Sequence, residues 1–458
     1  MLTNLPELVI DKEKPFKNCQ LEREGYANIL TQIVSKFYNG GVVAVNGKWG
    51  TGKTTFVKMW RQSLENDGFI TLYFNVWQDD YITDPLIGFI GQMRDICKTA
   101  VDNDKFSKLV DTASKIIVSA VPAILKGITN KYLGEVWANA VYDSISDVAD
   151  SFKKEIENYQ EQRNSIERFR QLLTELVASF GSDKPIVFMV DELDRCNPSY
   201  AVKVLERIKH LFDIPNVVFV LSIDKVQLCS SIRGYYGTDA INAEEYLQRF
   251  INLEYQLPEP NAEAFCKYLY NHYKYDAISF IHHEKGCFES FSCHLFRKMN
   301  LSLREMDRIY AHMRLVLQSY NDRQTIYVSV LLLLIYIRKI DIDFYNQIRN
   351  KSLALQDVVN YFESNKFKNI FVFDNKYDNA ERYSLFTLVE FLTLYSNNRP
   401  NSQRLKLLSP DEKSLAFECN VLNKEKLLDV INNYIVSSSF ESISVYFAHI
   451  ELLTNLKE

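Results

Sequence analysis

The sequence lacks most of what would mark a secreted, membrane-embedded or polymer-coating protein. Its eight cysteines are scattered and no C-x-x-C occurs, so free thiols are expected. The stretch from Met1 to Ile10 has neither the basic segment nor the long apolar core of a secretory signal, which makes the cytoplasm the expected location. No apolar run reaches the ~20 residues that cross a bilayer. Residues 116–125 lie between Lys115 and Lys126 and contain Pro122, while residues 326–337 end at Arg338 and Lys339; both read as buried helices. Charge of one sign is missing too. Lys and Arg number 53 against 58 Asp and Glu, a formal net charge of −5, which gives no global pull toward nucleic acid or anionic lipid. Internal repeats and low-complexity tracts are absent, excluding solenoids and long disordered segments.

What remains is an ordinary globular composition. With 458 residues, 47% hydrophobic, 24% charged and 13% aromatic, the chain suits two or three domains folded nearly throughout. Apolar runs at residues 42–45, 69–76, 186–190 and 217–223 are β-branched or aromatic-rich, as parallel strands buried on both faces are. A fifth run, residues 251–257, alternates apolar and polar side chains and is expected at a half-exposed sheet edge. Phe56, Val57, Trp60 and Leu64 repeat at helical spacing before a stop at Gly68. Val204, Leu205, Ile208, Leu211 and Phe212 form a second stripe. This alternation predicts an α/β fold with an open parallel sheet. The sheet domain is expected in two parts, residues 1–77 and 186–258. They are separated by a helical insertion over 78–185, too long for a loop. A helical lid over 259–340 and a C-terminal helical domain over 341–458 follow.

Gly47-Lys48-Trp49-Gly50-Thr51-Gly52-Lys53-Thr54 fits G-x-x-x-x-G-K-[ST] between a predicted strand and a predicted helix, which is the context a phosphate-binding loop requires. Glycines let successive backbone N–H groups turn toward phosphates, and the following helix adds the positive end of its dipole. Lys53 is expected to reach the β and γ phosphates, the Thr54 hydroxyl to ligate Mg²⁺, and Thr55 to lie beside the nucleotide. At the end of the third strand stand Asp191 and Glu192. A carboxylate at the carboxyl edge of a parallel strand is where such sheets hold ligands. The pattern assigns Asp191 to the metal and Glu192 to polarising the attacking water. ATP and Mg²⁺ are the expected ligands, and the water-activating glutamate argues against a small-molecule kinase.

Trp49-Gly50-Thr51-Gly52-Lys53-Thr54, Phe74-Asn75-Val76-Trp77 and Asp191-Glu192-Leu193-Asp194-Arg195-Cys196 together resemble the KAP family of P-loop NTPases over about residues 10–310. Some members carry membrane helices between the two nucleotide motifs, and this sequence has none long enough. The resemblance implies kinship with STAND and AAA+ proteins, in which ATP turnover works as a switch, and with bacterial phage-exclusion and antiviral proteins. It also implies that Ser222 or Asp224 occupies a polar sensor position, with Asp224 preferred. Arg249 matches the place of a trans-acting arginine finger, and a surface ion pair with Glu245 is the open alternative. Arg304, with Arg308 one turn on, resembles the arginine of the lid that follows nucleotide state. Arg195 is left open between capping the next helix and reaching across an interface.

Two constellations carry less. His282, His283, Cys287, Cys293 and His294 crowd together, but their spacing fits no common structural zinc pattern. The Lys and Arg excess between residues 301 and 340 reads as a solvated helical face before it reads as a phosphate track. No nuclease, protease or TIR-like signature is found. The expected function is therefore a Mg²⁺-dependent ATPase acting as a conformational switch, homo-oligomeric and working with a separate effector protein, in defence against phage. A DNA-stimulated remodelling or translocating ATPase is the first alternative, which leaves nucleic-acid binding open; an ATP-binding scaffold with little turnover is the second.

Overall fold

The computed structural model describes residues 9–100, 104–117, 145–277, 285–320, 326–364, 366–371, 379–396, 407–409, 414–433 and 442–452. They form two compact units, one from Val9 to Glu259 and one from Pro260 onward.

The first unit is built on a five-stranded sheet, β1 (Gly41–Asn46), β2 (Thr71–Asn75), β3 (Ile186–Asp191), β4 (Val217–Ile223) and β5 (Leu253–Gln256), in the order β2-β3-β4-β1-β5. Every pairing is parallel, so all five carboxyl ends lie along one edge. The central strands β3 and β4 are buried at every residue, whereas β5 alternates between half-buried and exposed. That is the edge position its sequence alternation implies. One register row crosses the whole sheet through Asn75, Asp191, Ser222, Val45 and Tyr255. Side chains in one row share a face, which brings residues from distant parts of the chain side by side.

Helices α1 (Glu24–Val34) and α2 (Lys53–Asn66) flank the first strands. Between β2 and β3 come α3 (Pro85–Ala100), α4 (residues 104–117) and α5 (Ile145–Ser179), so the described part of the long inter-strand segment is helical. Its two ends are walls of the sheet core. Phe89 of α3 packs on Phe74, Phe188, Phe212 and Phe219 with ring centroids 5.0 to 5.9 Å apart, and Phe169 of α5 meets Phe212 at 5.7 Å. A side chain so buried contributes about 1.5–3 kcal/mol by burial alone. Gly88 has to be glycine here, because a Cβ would stand 2.3 Å from the Phe74 ring. Asp84, just before α3, receives a two-pronged pair from Arg207, a residue of α6 (Pro198–Leu211). Helix α7 (Lys225–Tyr236) and the short α8 (Ala243–Gln248) complete this unit.

The second unit is helical throughout its main described elements. It contains α9 (Ala262–His272), α10 (Lys285–Lys298), α11 (Leu303–Gln318), α12 (Val328–Ile340), α13 (Ile342–Arg349), α14 (Leu355–Glu363) and four more helices. Ser302 and Glu305 start α11 with a reciprocal capping box, worth about 1 kcal/mol. The apolar run at 326–337 is a buried helix, α12, as its sequence implies. The other run, 116–125, lies mostly outside the described residues. No helix among the described residues is long and apolar enough to cross a membrane.

Candidate nucleotide-binding site

The loop after β1 curls because Gly50 and Gly52 both adopt positive φ, +78° and +84°, and Gly52 then serves as the residue preceding α2. Any Cβ at those angles would strain the backbone. The loop is held from both sides. Gly47 N–H donates to the Ile223 carbonyl at 3.1 Å. The buried Arg23 guanidinium donates to the Gly52 carbonyl and to that of Pro258, both at 3.3 Å. Lys53, only 9% exposed, curls back to donate to the carbonyls of Gly47 at 2.5 Å and Lys48 at 3.1 Å. Burial lowers its pKa, and Asp194, Asp224 and Asp191 act against that shift. A buried ammonium facing three carboxylates is a fixed positive charge inside an otherwise acidic pocket edge.

Asp191 ends β3 and is 1% exposed. Its Oδ2 accepts from the Tyr73 hydroxyl at 2.8 Å and its Oδ1 from the Glu192 N–H at 3.0 Å. Burial, and then Asp191 itself, push the Tyr73 phenol well up, so it keeps its proton and donates. Glu192 turns through φ +62°, a conformation that costs a non-glycine residue about 1–2 kcal/mol. The turn carries its carboxylate to two anchors: Asn75 Nδ2 at 3.0 Å and Arg195 Nη1 at 2.6 Å. Arg195 also lies over the Trp77 ring at 5.3 Å. It neither caps the next helix, which Asn197 caps, nor lacks a local partner.

Asp224 caps α7 through the Gln227 N–H and also accepts from the Trp49 N–H at 3.0 Å, tying the phosphate loop to the end of β4. Ser222 lies in the same register row as Asp191. Its hydroxyl is fully buried and has no hydrogen-bond partner among the described residues. The Trp49 indole N–H donates to Asp194, whose carboxyl is raised in pKa chiefly by burial while that bond pulls the other way. Thr54 is half-buried in the first turn of α2, Thr55 is exposed, and Thr51 bonds the Lys48 carbonyl at 2.8 Å. Arg249 follows α8, is exposed, and has no ion pair among the described residues; the pair with Glu245 is not formed. Arg304 is exposed at the start of α11 in the other unit. Of the His and Cys cluster, His282 and His283 fall outside the described residues. His294 contacts the Ile370 carbonyl, and no metal-holding group of His, Cys, Asp and Glu occurs among the described residues.

Sequence reasoning gave no role to Arg23, Tyr73 or Asn75. Asn75 sat inside a quoted motif, whereas Tyr73 and Arg23 gave no signal of their own. The arrangement has hard oxygen donors on Asp191, Thr54 and Ser222, which suit Mg²⁺, and a buried ammonium with a loop of backbone donors, which suits phosphates.

A parallel sheet that carries a glycine loop and lysine after its first strand, and an acidic pair, one buried and one half-buried, after the strand two places away, defines a nucleotide-binding P-loop NTPase. The KAP family P-loop domain matches residues 23–320, and the chain belongs to that family. It is similar to a phage T7 exclusion protein of Escherichia coli (strain K12), 22% identical over 274 residues that cover 53% of this chain and 34% of that protein; the chain thus spans about a third of that relative's length. Among solved structures it is similar to the Aeropyrum pernix ORC2 protein in ADPNP and ADP complexes, with TM-score 0.30 and 12% identity, covering 74% of this chain and 70% of that one. It is also similar to a chain of Drosophila ORC bound to DNA, with TM-score 0.28 and 13% identity over 97% and 88% of the two chains.

Proposed function

We propose that the chain is a cytoplasmic Mg²⁺-dependent ATPase whose turnover switches its conformation in defence against phage, acting as a homo-oligomer with a separate effector protein. The observation that carries this reading is the convergence of Lys53, Asp191 and Glu192 on one sheet edge, with Glu192 oriented by Asn75 and Arg195. Lys53 and the loop N–H groups of residues 47–54 hold the β and γ phosphates. Asp191 and Thr54 hold the metal, which supplies charge neutralisation at those phosphates. Glu192 accepts the proton of the attacking water, and Ser222 or Asp224 senses the γ phosphate. Residues 259–340 act as a lid whose Arg304 follows nucleotide state. The phage link is supported by the similarity to an exclusion protein.

Oligomer formation is supported by Arg249, an exposed guanidinium just before the edge strand with no ion pair among the described residues, placed to neutralise transition-state charge at a neighbour's phosphates. Lys53→Ala lowers ATP affinity at least about a hundredfold, roughly 2.7 kcal/mol, in titration calorimetry and abolishes protection in phage plating. Arg249→Ala keeps ATP affinity and loses hydrolysis, and mixing it with Lys53→Ala subunits restores activity. Unchanged affinity in the lysine variant sinks the site. Hydrolysis independent of protein concentration, with no rescue on mixing, removes the trans-acting arginine, and turnover that rises with added DNA favours a DNA-stimulated remodeller.

A further inference from the structure

The basic excess over residues 301–340 is not spread along a helix face; part of it converges. Arg308 and His312, one turn apart on α11, face Arg338 and Lys339 in the last turn of α12 across an open cleft of about 470 Å³. Ile309 and Ile335 make its buried floor, and Ile342, 50% exposed at the start of α13, makes a lip. No carboxylate among the described residues lines it. Glu305 pairs with Lys339 at 2.7 Å and Glu451 lies 3.5 Å from Arg338, each from outside the lining. Arg308 is exposed and has no ion-pair partner among the described residues. Every lining residue belongs to the helical unit.

We propose that this cleft is a second ligand site, taking a small phosphorylated molecule of nucleotide size. Two guanidiniums and an ammonium closing on one hollow match the several oxygens of a phosphate better than a single carboxylate, because planar forks bind such oxygens in pairs. The volume lies in the range of small-molecule sites, roughly 300–1,000 Å³, and the isoleucine floor and lip fit an uncharged body behind the anionic head. A nucleic-acid strand fits less well: it presents a line of phosphates and calls for cations strung along a surface, whereas these meet at one point. Burial, and then Arg338, hold the His312 imidazole below its ordinary pKa, so it enters the site as a neutral hydrogen-bonding group.

The test uses the full chain carrying Lys53→Ala, which removes the phosphate-loop ammonium, so that failure here leaves the ATPase reading untouched. Inorganic pyrophosphate and adenosine monophosphate are titrated by calorimetry. The proposal expects saturable binding of at least one, weakened tenfold or more by Arg308→Glu and by a smaller factor by Arg308→Lys, which keeps the charge but loses the fork. If Arg308→Glu lowers the melting temperature, His312→Gln is read in its place and should weaken binding severalfold. No saturable binding of either probe overturns the site, as does binding indifferent to Arg308 and His312. Cleft-dependent binding of a single-stranded oligonucleotide with no response to the small phosphates overturns it in favour of nucleic acid.

Discussion

The two units bury carboxylates for opposite ends. In the helical unit Glu363, at the end of α14, accepts through one oxygen from the backbone N–H groups of Asn420, Val421 and Leu422, at 2.8, 2.9 and 3.0 Å. Backbone donors that are themselves built into a turn leave that oxygen nowhere to go, and the carboxylate works as a staple between α14 and residues 420–422. In the nucleotide unit three neighbouring acids are met by side chains, Asp191 by Tyr73, Glu192 by Asn75 and Arg195, Asp194 by Trp49, although Asp191 also accepts from the Glu192 N–H and Asp224 is held by the backbone N–H groups of Trp49 and Gln227. Those partners are side chains with rotamer freedom, and Trp49 belongs to the phosphate loop itself. A buried charge alone is therefore a poor sign of chemistry; at this site Asp191, Glu192 and Asp194 are distinguished by side-chain partners that have rotamer freedom, while Asp224 is fixed by the backbone as Glu363 is.

Three substitutions test that contrast. The largest effect belongs to Glu192→Gln, which keeps the shape and the Asn75 contact but cannot accept a proton: hydrolysis should fall about a thousandfold, within the range of general bases, while ATP affinity stays within about threefold. Native turnover in single-turnover kinetics would remove Glu192 as the base. Next comes Glu363→Ala, which strips three N–H groups, that of buried Leu422 among them, of their acceptor. It should cost roughly 3 kcal/mol and lower the melting temperature by roughly 6–12 °C, with turnover per folded molecule unchanged. A loss of turnover without a loss of stability would erase the distinction between the units. The smallest is Asn75→Ala, which frees one of two anchors and should slow hydrolysis about tenfold, roughly 1.4 kcal/mol. In a Glu192→Gln background it should do nothing more; a second additive drop would mean that Asn75 acts on something other than the glutamate.

The parts of this molecule that could be read from the sequence are those written in contiguous residues. The phosphate loop and the acidic strand end are short motifs next to apolar runs, and β5 announced its edge position by alternating. Helical periodicity between β2 and β3 was equally visible. Its role in the core was not, because Phe89 looks like any apolar helix residue until it meets Phe188, Phe212 and Phe219. The supporting contacts of the site are long-range by nature. Tyr73 reaches Asp191 across 118 positions and Arg23 reaches Pro258 across 235, and only the parallel register or the loop path brings them together. The same holds for the cationic cleft: a surplus of Lys and Arg was countable, but its convergence depends on how α11 and α12 lie against each other.

Trp49 stands in the middle of the phosphate loop with 44% of its surface open and its indole N–H tied to a buried carboxylate, while Trp60 is fully enclosed beside Phe56. Indole emission responds to both solvent contact and a nearby charge, so the loop carries its own optical label. Any ligand that draws the Trp49 ring away from Asp194 should shift the colour and brightness of that label, and because Trp77, 47% exposed beside Arg195, and Trp137 also emit, replacing those two by Phe leaves the loop's signal against the enclosed Trp60 alone.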